Sequence, residues 1–212
     1  MRIVAFSDCH NRHQRLTVPA GDVLVVAGDF TELGENPEVE DFGRWLRTLP
    51  HPNKVVIAGN HDFGFQLRSK VVKKLLVDND PTVHYLRDKD VMIGGRKFWG
   101  SPWNPWFSNW AFNVPRGPLL AQKWAAMPVD TDVLVVHGPP YGILDKTWRG
   151  DAVGDQDLLD RIAVVQPQLV IFGHIHEARG MHVHTWTSGK TTTFLNVATD
   201  YGHEQPMVFD LP

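Results

Sequence analysis

The 212-residue chain holds one cysteine, Cys9, so no disulfide can form within it, and a reducing compartment suits it. It has no apolar run near the roughly 18 residues of a membrane span. Its N-terminus, "MRIVAFSDCH", has no apolar leader segment. A soluble, cytoplasmic protein without a membrane partner is the expectation. Basic blocks are missing too: 21 Lys and Arg face 24 Asp and Glu, for a net charge of -3. A groove for long nucleic acid normally carries a basic footprint, so none is expected. Repeats, low-complexity segments and linkers are absent. Length and a hydrophobic content of 42% fit one globular domain spanning residues 1–212.

What is present is an alternation of strand-like and helix-like pieces. "RIVAF" (2–6), "VLVVA" (23–27), "KVVIA" (54–58), "VLVVH" (133–137) and "LVIF" (169–172) are short apolar runs rich in Val and Ile. Such runs read as strands buried on both faces. In 38–49, Phe42, Trp45, Leu46 and Leu49 fall on one face of a helix. Leu158, Leu159, Ile162 and Val165 form a second stripe, stopped by Pro167. "VMIGGRKFWG", "MHVHTW", "TTTFLN" and "PMVFDL" alternate like the strands of hairpins. The expected fold is α/β: two mixed sheets packed as a sandwich, with helices outside.

Each buried run ends in polar residues. Asp8 and His10 follow the first, Asp29 the second, and Asn60, His61 and Asp62 the third. His137 ends the fourth, and His174 and His176 follow the fifth. Ligands of open α/β sheets gather beyond the carboxyl ends of the strands. Five strands then deliver two carboxylates, one amide and four imidazoles to one place. Mixed N and O donors without thiolate suit Mn, Fe or Zn. Seven donors exceed one tetrahedral ion and fit two. Gly28, Gly59, Gly138 and Gly173 flank these residues, where tight turns or close backbone approach are needed. By contrast, His182 and His184 follow no such run and read as half-exposed strand residues.

The blocks "SDCH", "GDF", "GNHD", "VVHGPP" and "GHIHE" resemble, in order, those of the calcineurin-like metallophosphoesterases. The segment "GSPWNPWFSNWAFNVPRG" and the ending "MVFDLP" resemble further the metallophosphoesterase-domain-containing subfamily, some members of which hydrolyse cyclic nucleotides. The resemblance implies that Asp8, His10, Asp29 and His176 bind one metal, and Asp29, Asn60, His137 and His174 a second, with Asp29 bridging. It implies His61 as the catalytic acid, beside Asn60. Asp62 either orients His61 or caps the following turn. Some members carry glycine at the position of His174; retention of the histidine implies a complete two-metal centre.

The implied activity is hydrolysis of a small phosphodiester, a cyclic nucleotide foremost, by hydroxide bridging the two ions. A phosphomonoesterase and a metal-loaded scaffold with little activity are the alternatives. Trp103 and Trp106 belong to an aromatic-rich segment that reads equally as a wall for a substrate ring or as a self-packed plug or subunit contact. The latter leaves a homo-oligomer open. His13, Arg116 and Arg149 are candidates for contact with substrate phosphate.

Overall fold

The computed structural model describes residues 1–77 and 80–212. In chain order the strands and helices are β1 (Arg2–Phe6), β2 (Val23–Ala27), α1 (Asn36–Thr48), β3 (Asn53–Ile57), α2 (Phe63–Leu67), α3 (Ser69–Val77) and β4 (Val83–Tyr85). There follow β5 (Lys89–Ile93), β6 (Arg96–Ser101), β7 (Asn104–Pro105), β8 (Asn113–Val114), α4 (Pro118–Ala125) and β9 (Val133–Val136). The last are α5 (Gln156–Val165), β10 (Leu169–Phe172), β11 (Gly180–Thr185), β12 (Thr191–Asn196) and β13 (Met207–Asp210).

Two mixed sheets form a sandwich. The first runs β13-β1-β2-β3-β4, parallel except for β13, which pairs antiparallel with β1 (Val4 opposite Val208). The second runs β11-β12-β10-β9-β6-β5, parallel at its centre with an antiparallel strand on each edge. Both were legible as mixed sheets because parallel strands covered on both faces need apolar residues at every position. In β1, Ile3 and Ala5 face the other sheet, while Val4 and Phe6 pack with Phe42 and Leu46 of α1. In β9, Val133 and Val135 point inward, while Leu134 and Val136 pack with Trp124 of α4 and Leu158 and Ile162 of α5.

Helix α1 begins two residues before the apolar stripe suggests. Glu35 and Glu38 form a capping box, with Glu38 Oε2 accepting from the Glu35 N–H at 2.8 Å, and Pro37 sits in the first turn. Helix α5 stops at Gln166, which is left-handed at φ 52°, one residue before Pro167. Among the described residues no helix is long and apolar enough to cross a membrane.

Candidate functional site

The carboxyl ends of the parallel strands of both sheets open on one side, and the polar residues meet across the seam between the sheets. Asp8 (after β1), His10 and His176 (after β10) bring one donor atom each within 4.8 Å of one another. Asp29 (after β2), His137 (after β9) and His174 (after β10) do the same. Each group therefore takes donors from both sheets. Nε2 of His176 lies 3.3 Å from Asp8 Oδ1, and Nε2 of His137 lies 3.2 Å from Asp29 Oδ2. Asn60 Oδ1 reaches the same His137 nitrogen at 3.0 Å, which places the amide in the second group.

The loops that carry these donors are strained in a specific way. Asp8, His10, Asp29 and His174 all have positive φ (57°, 42°, 51° and 69°). Left-handed backbone costs non-glycine residues on the order of 1 kcal/mol each and is tolerated best by short polar side chains. Of the four flanking glycines, only Gly28 has positive φ. Gly173 serves close approach instead: a Cβ there would overlap Ser7 Oγ and Asp8 Oδ2. The sharp turns are made by the donors themselves, and backbone bonds hold them. Asp8 N–H donates to Gly28 O at 3.0 Å, and His10 N–H to Asp29 O at 3.1 Å.

A supporting shell aims the donors. His137 Nδ1 lies 2.8 Å from Ala27 O, which fixes Nδ1 as the protonated nitrogen and leaves Nε2 facing Asp29. His176 Nδ1 lies 3.0 Å from Asp200 Oδ1. Asp8 Oδ2 accepts from Ser7 Oγ at 2.5 Å and from the His174 N–H at 3.0 Å. Tyr201 stacks on His10, centroids 4.4 Å apart and 24° between planes. Asp200 and Tyr201 follow β12, a sixth strand end missing from the expected set. Its signal was a carboxylate four residues past "TTTFLN".

Protonation follows from burial and charge. Burial opposes the cationic form of His137, but the carboxylate of Asp29 overrides it and pushes the imidazole up to about 9. Burial likewise opposes His176, and Asp8 with Asp200 raise it to about 9. His174 goes the other way, to about 4, through burial and then the charge of His137. Burial penalises the Asp8 anion, yet the His176 hydrogen bond and the surrounding imidazoles hold it well below the ordinary carboxylate range. His10 is lowered by burial. Among the described residues neither of its buried ring nitrogens has a hydrogen-bond partner, and Glu32 is no nearer than 4.0 Å. Leaving such an atom unsatisfied costs roughly 1–3 kcal/mol. A cation held by Asp8, His10 and His176 would satisfy it, so the donor set fits a metal.

His61 stands beside these groups, edge-on to His10 at 4.5 Å, with Trp110 tilted over its ring at 4.2 Å. Its Nδ1 lies 2.9 Å from Glu32 O, and its backbone N–H donates to Asp29 Oδ1 at 2.8 Å. The orienting role offered to Asp62 therefore falls to the Glu32 carbonyl. Asp62 is fully buried and ties two loops together. It accepts from the backbone N–H groups of Asp29 (2.9 Å), Gly59 (2.7 Å) and Thr31 (3.0 Å) and from Thr31 Oγ1 (2.5 Å). Burial and then the charge of Asp29 push its carboxyl up to about 7, against the pull of those bonds.

Five other expectations change. His13 is buried under α1, against Phe42 and Trp45, with Asp41 Oδ2 3.2 Å from Nε2, and cannot reach the site. Trp103 belongs to the core margin: its Nε1–H donates to both oxygens of Asp88 at 2.9 Å, and Lys123 lies 4.0 Å over its ring. Trp106 is 57% exposed and makes no ring contact with the donor groups among the described residues. The residues of the aromatic-rich segment that do face the site are Trp110, on His61, and Phe107, 5.2 Å from His174. Arg116 donates to the carbonyls of Gly154 (2.7 Å) and Val153 (2.6 Å), and Arg149 lies 4.6 Å over Trp148. His182 and His184 stay on edge strand β11, away from both groups.

Comparison with known proteins agrees with this geometry. The sequence profile described as calcineurin-like phosphoesterase matches residues 1–178. The human protein named metallophosphoesterase domain-containing protein 1 is 40% identical over 238 residues, covering all of this chain and 71% of that protein. A UPF0046 protein of Caenorhabditis elegans is 38% identical over 226 residues, covering all of this chain and 76% of its own length. The crystal structure of TT1561 from Thermus thermophilus superposes with a TM-score of 0.66 at 13% identity, covering 99% of this chain and 98% of that one.

Proposed function

The chain belongs to the calcineurin-like phosphoesterase family, and from that premise we propose that it hydrolyses phosphodiesters at a centre of two metal ions. The observation that carries this reading is the pair of donor groups at the seam, Asp8/His10/His176 and Asp29/His137/His174 with Asn60. The all-N,O donor set suits Mn, Fe or Zn. Two such ions, when bound, supply a nucleophile at neutral pH and neutralise charge growing on the phosphoryl oxygens.

The side chains of the chain itself do the rest. The Asn60 amide, beside His137, is placed to hydrogen-bond a phosphoryl oxygen as its charge grows. His61 delivers the proton to the departing oxygen. Because Glu32 O engages Nδ1, that proton leaves from Nε2. Trp110 covers one face of the imidazole and restrains its rotation.

Charge favours a diester over a monoester. Near the site, Arg116 and Arg179 donate to backbone carbonyls, Arg149 lies over Trp148 and Arg12 over Tyr201. The neighbouring cleft of about 840 Å³ is lined by three carboxylates, Glu177, Asp200 and Glu204, against one guanidinium, Arg179, beside His174 and His176. A dianionic monoester meets more repulsion there than a monoanionic diester, and a cyclic nucleotide is the leading diester. The test compares bis(p-nitrophenyl) phosphate with p-nitrophenyl phosphate on the Mn-loaded protein. A higher kcat/KM for the diester is the expected result. The reverse order would make the protein a phosphomonoesterase, and no turnover of either would leave a metal-binding scaffold.

A further inference from the structure

A second recess touches the site from the other side of His174. It is a partly open recess of about 350 Å³, and its apolar walls are Pro105, Phe107, Pro139, Val153 and Ile175. Ligand pockets begin at roughly 300 Å³, are mainly apolar and carry a few placed polar groups. This one meets each requirement. Phe107 is 48% exposed, a large apolar ring held at the surface, and it faces His174 at 5.2 Å. The guanidinium of Arg116 is pinned by two carbonyls, so that wall is set before any ligand arrives.

One polar atom at this recess, and a second behind its wall, have no partner among the described residues. Thr147 lines it, and its Oγ1 is buried without a hydrogen bond. Gly138 lines it too, and behind Gly138 lies Asn104, 1% exposed, with Oδ1 equally unpartnered. A side chain on Gly138 would run into that oxygen. Buried polar atoms are normally paired, and each exception calls for a physical reason. A polar edge on a bound ring supplies one here. The open acidic cleft on the far side of His174 has a different character, so the two recesses are not interchangeable.

We propose that the recess walled by Phe107, Pro139 and Arg116 is the specificity pocket for one ester group of the substrate, an aromatic ring with a polar edge. The inference rests on the functional reading only in placing the phosphoryl group at the two donor groups. His174 then marks the boundary between the phosphoryl position and the ring. A ring-free alkyl ester leaves the apolar walls bare and Thr147 Oγ1 unpartnered.

The test is calorimetric titration of the Mn-loaded protein with two probes that cannot be hydrolysed, phenylphosphonate and methylphosphonate. Wild type should bind phenylphosphonate about tenfold more tightly, the worth of one well-placed aromatic contact. Phe107→Ala should cut that preference to about threefold or less. Phe107 is half exposed, so its loss does not empty the core, and an unchanged melting temperature checks this. Equal binding of the two probes, binding of neither, or an undiminished preference in Phe107→Ala overturns the pocket. If bis(p-nitrophenyl) phosphate is turned over and no ring preference appears, the pocket alone is wrong. If the ring preference appears and no diester is turned over, the pocket stands and the functional reading falls.

Discussion

The carboxylate of Asp200 lies 3.0 Å from Nδ1 of His176, on the side of the imidazole away from Asp8. A carboxylate behind a liganding histidine fixes the tautomer, aims Nε2 and raises its basicity. Asp200→Ala should therefore weaken Mn binding roughly 10–100-fold while the fold persists. Titration of the metal-free variant followed by a melting curve measures both. Unchanged affinity would reduce Asp200 to a surface acid.

Asp29 has two duties: Oδ2 faces His137, and Oδ1 receives the backbone N–H of His61. Asp29→Ala should cost more activity than His10→Ala or His176→Ala, because it releases a donor group and the acid loop together. His182→Ala should leave metal content near wild type. Metal analysis alongside kcat/KM decides, and equal damage from His182→Ala and His174→Ala would reverse the assignment of the two His-x-His pairs.

The acid role of His61 has its own signature. Help from an acid matters most for a poor leaving group. His61→Ala should slow cyclic-nucleotide hydrolysis by roughly 10²–10⁴-fold and bis(p-nitrophenyl) phosphate hydrolysis far less. Metal content should stay near wild type. His61 does lie with His10 and Glu32 in a third group of donors. Metal loss in the variant would make it a ligand instead of an acid.

Protons and cations compete for the same nitrogens. His137 and His176 sit at about 9, so near neutral pH both must be deprotonated before they can bind an ion. Apparent Mn affinity should rise as pH climbs from about 6.5 towards 9, with protons released on binding. In the metal-free protein the sign is opposite. A histidine raised above its unfolded value adds stability that is present below about 6.5 and lost as pH passes through about 9. Melting temperature in chelator should therefore fall across that window, whereas the Mn-loaded protein should hold or gain. Parallel curves in both conditions would contradict this.

Trp103 and Trp106 should separate cleanly. Trp103 is packed against Phe112 and hydrogen-bonded to Asp88, so Trp103→Ala should destabilise by roughly 2–4 kcal/mol and lower activity on all substrates alike. Trp106→Ala should change stability by less than about 0.5 kcal/mol, as for most exposed positions. Denaturant unfolding of the two variants gives the comparison.

The five buried strands were readable because a strand covered on both faces admits few polar residues, and the donors were readable because they interrupt those runs. The observed β3 and β9 each end one residue before the apolar run suggested. What stayed hidden depended on partners far away in the chain. Trp103 read equally as a wall for a ring or as a packed plug, and the bond from its indole N–H to Asp88 favours the plug. His13 looked close to the site because it is near Asp8 in sequence, but its short turn directs it under Trp45. Helix α4 buries only Leu120 and Trp124, too few to form a visible stripe. Asp200 and Tyr201 follow a strand whose alternating pattern resembles an edge, though β12 lies inside the second sheet, between β10 and β11.

The seam has a consequence for biosynthesis. The bond from the His174 N–H to Asp8 spans 166 residues, and Asp200 lies farther along still. Neither donor group contains residues from only one half of the chain. As the chain leaves the ribosome, β1, β2 and β3 can pair with α1 across them, since their contacts are close in sequence. Asp8, His10, Asp29 and Asn60 are then displayed in an unfinished state, with one of the four imidazoles in place. Such an incomplete set holds a hard cation weakly and lets go of it easily. On the two-metal reading, firm loading would wait for β9, β10 and β12, so an ion would be captured late, by a nearly finished protein, and its identity would reflect what the compartment offers at that moment.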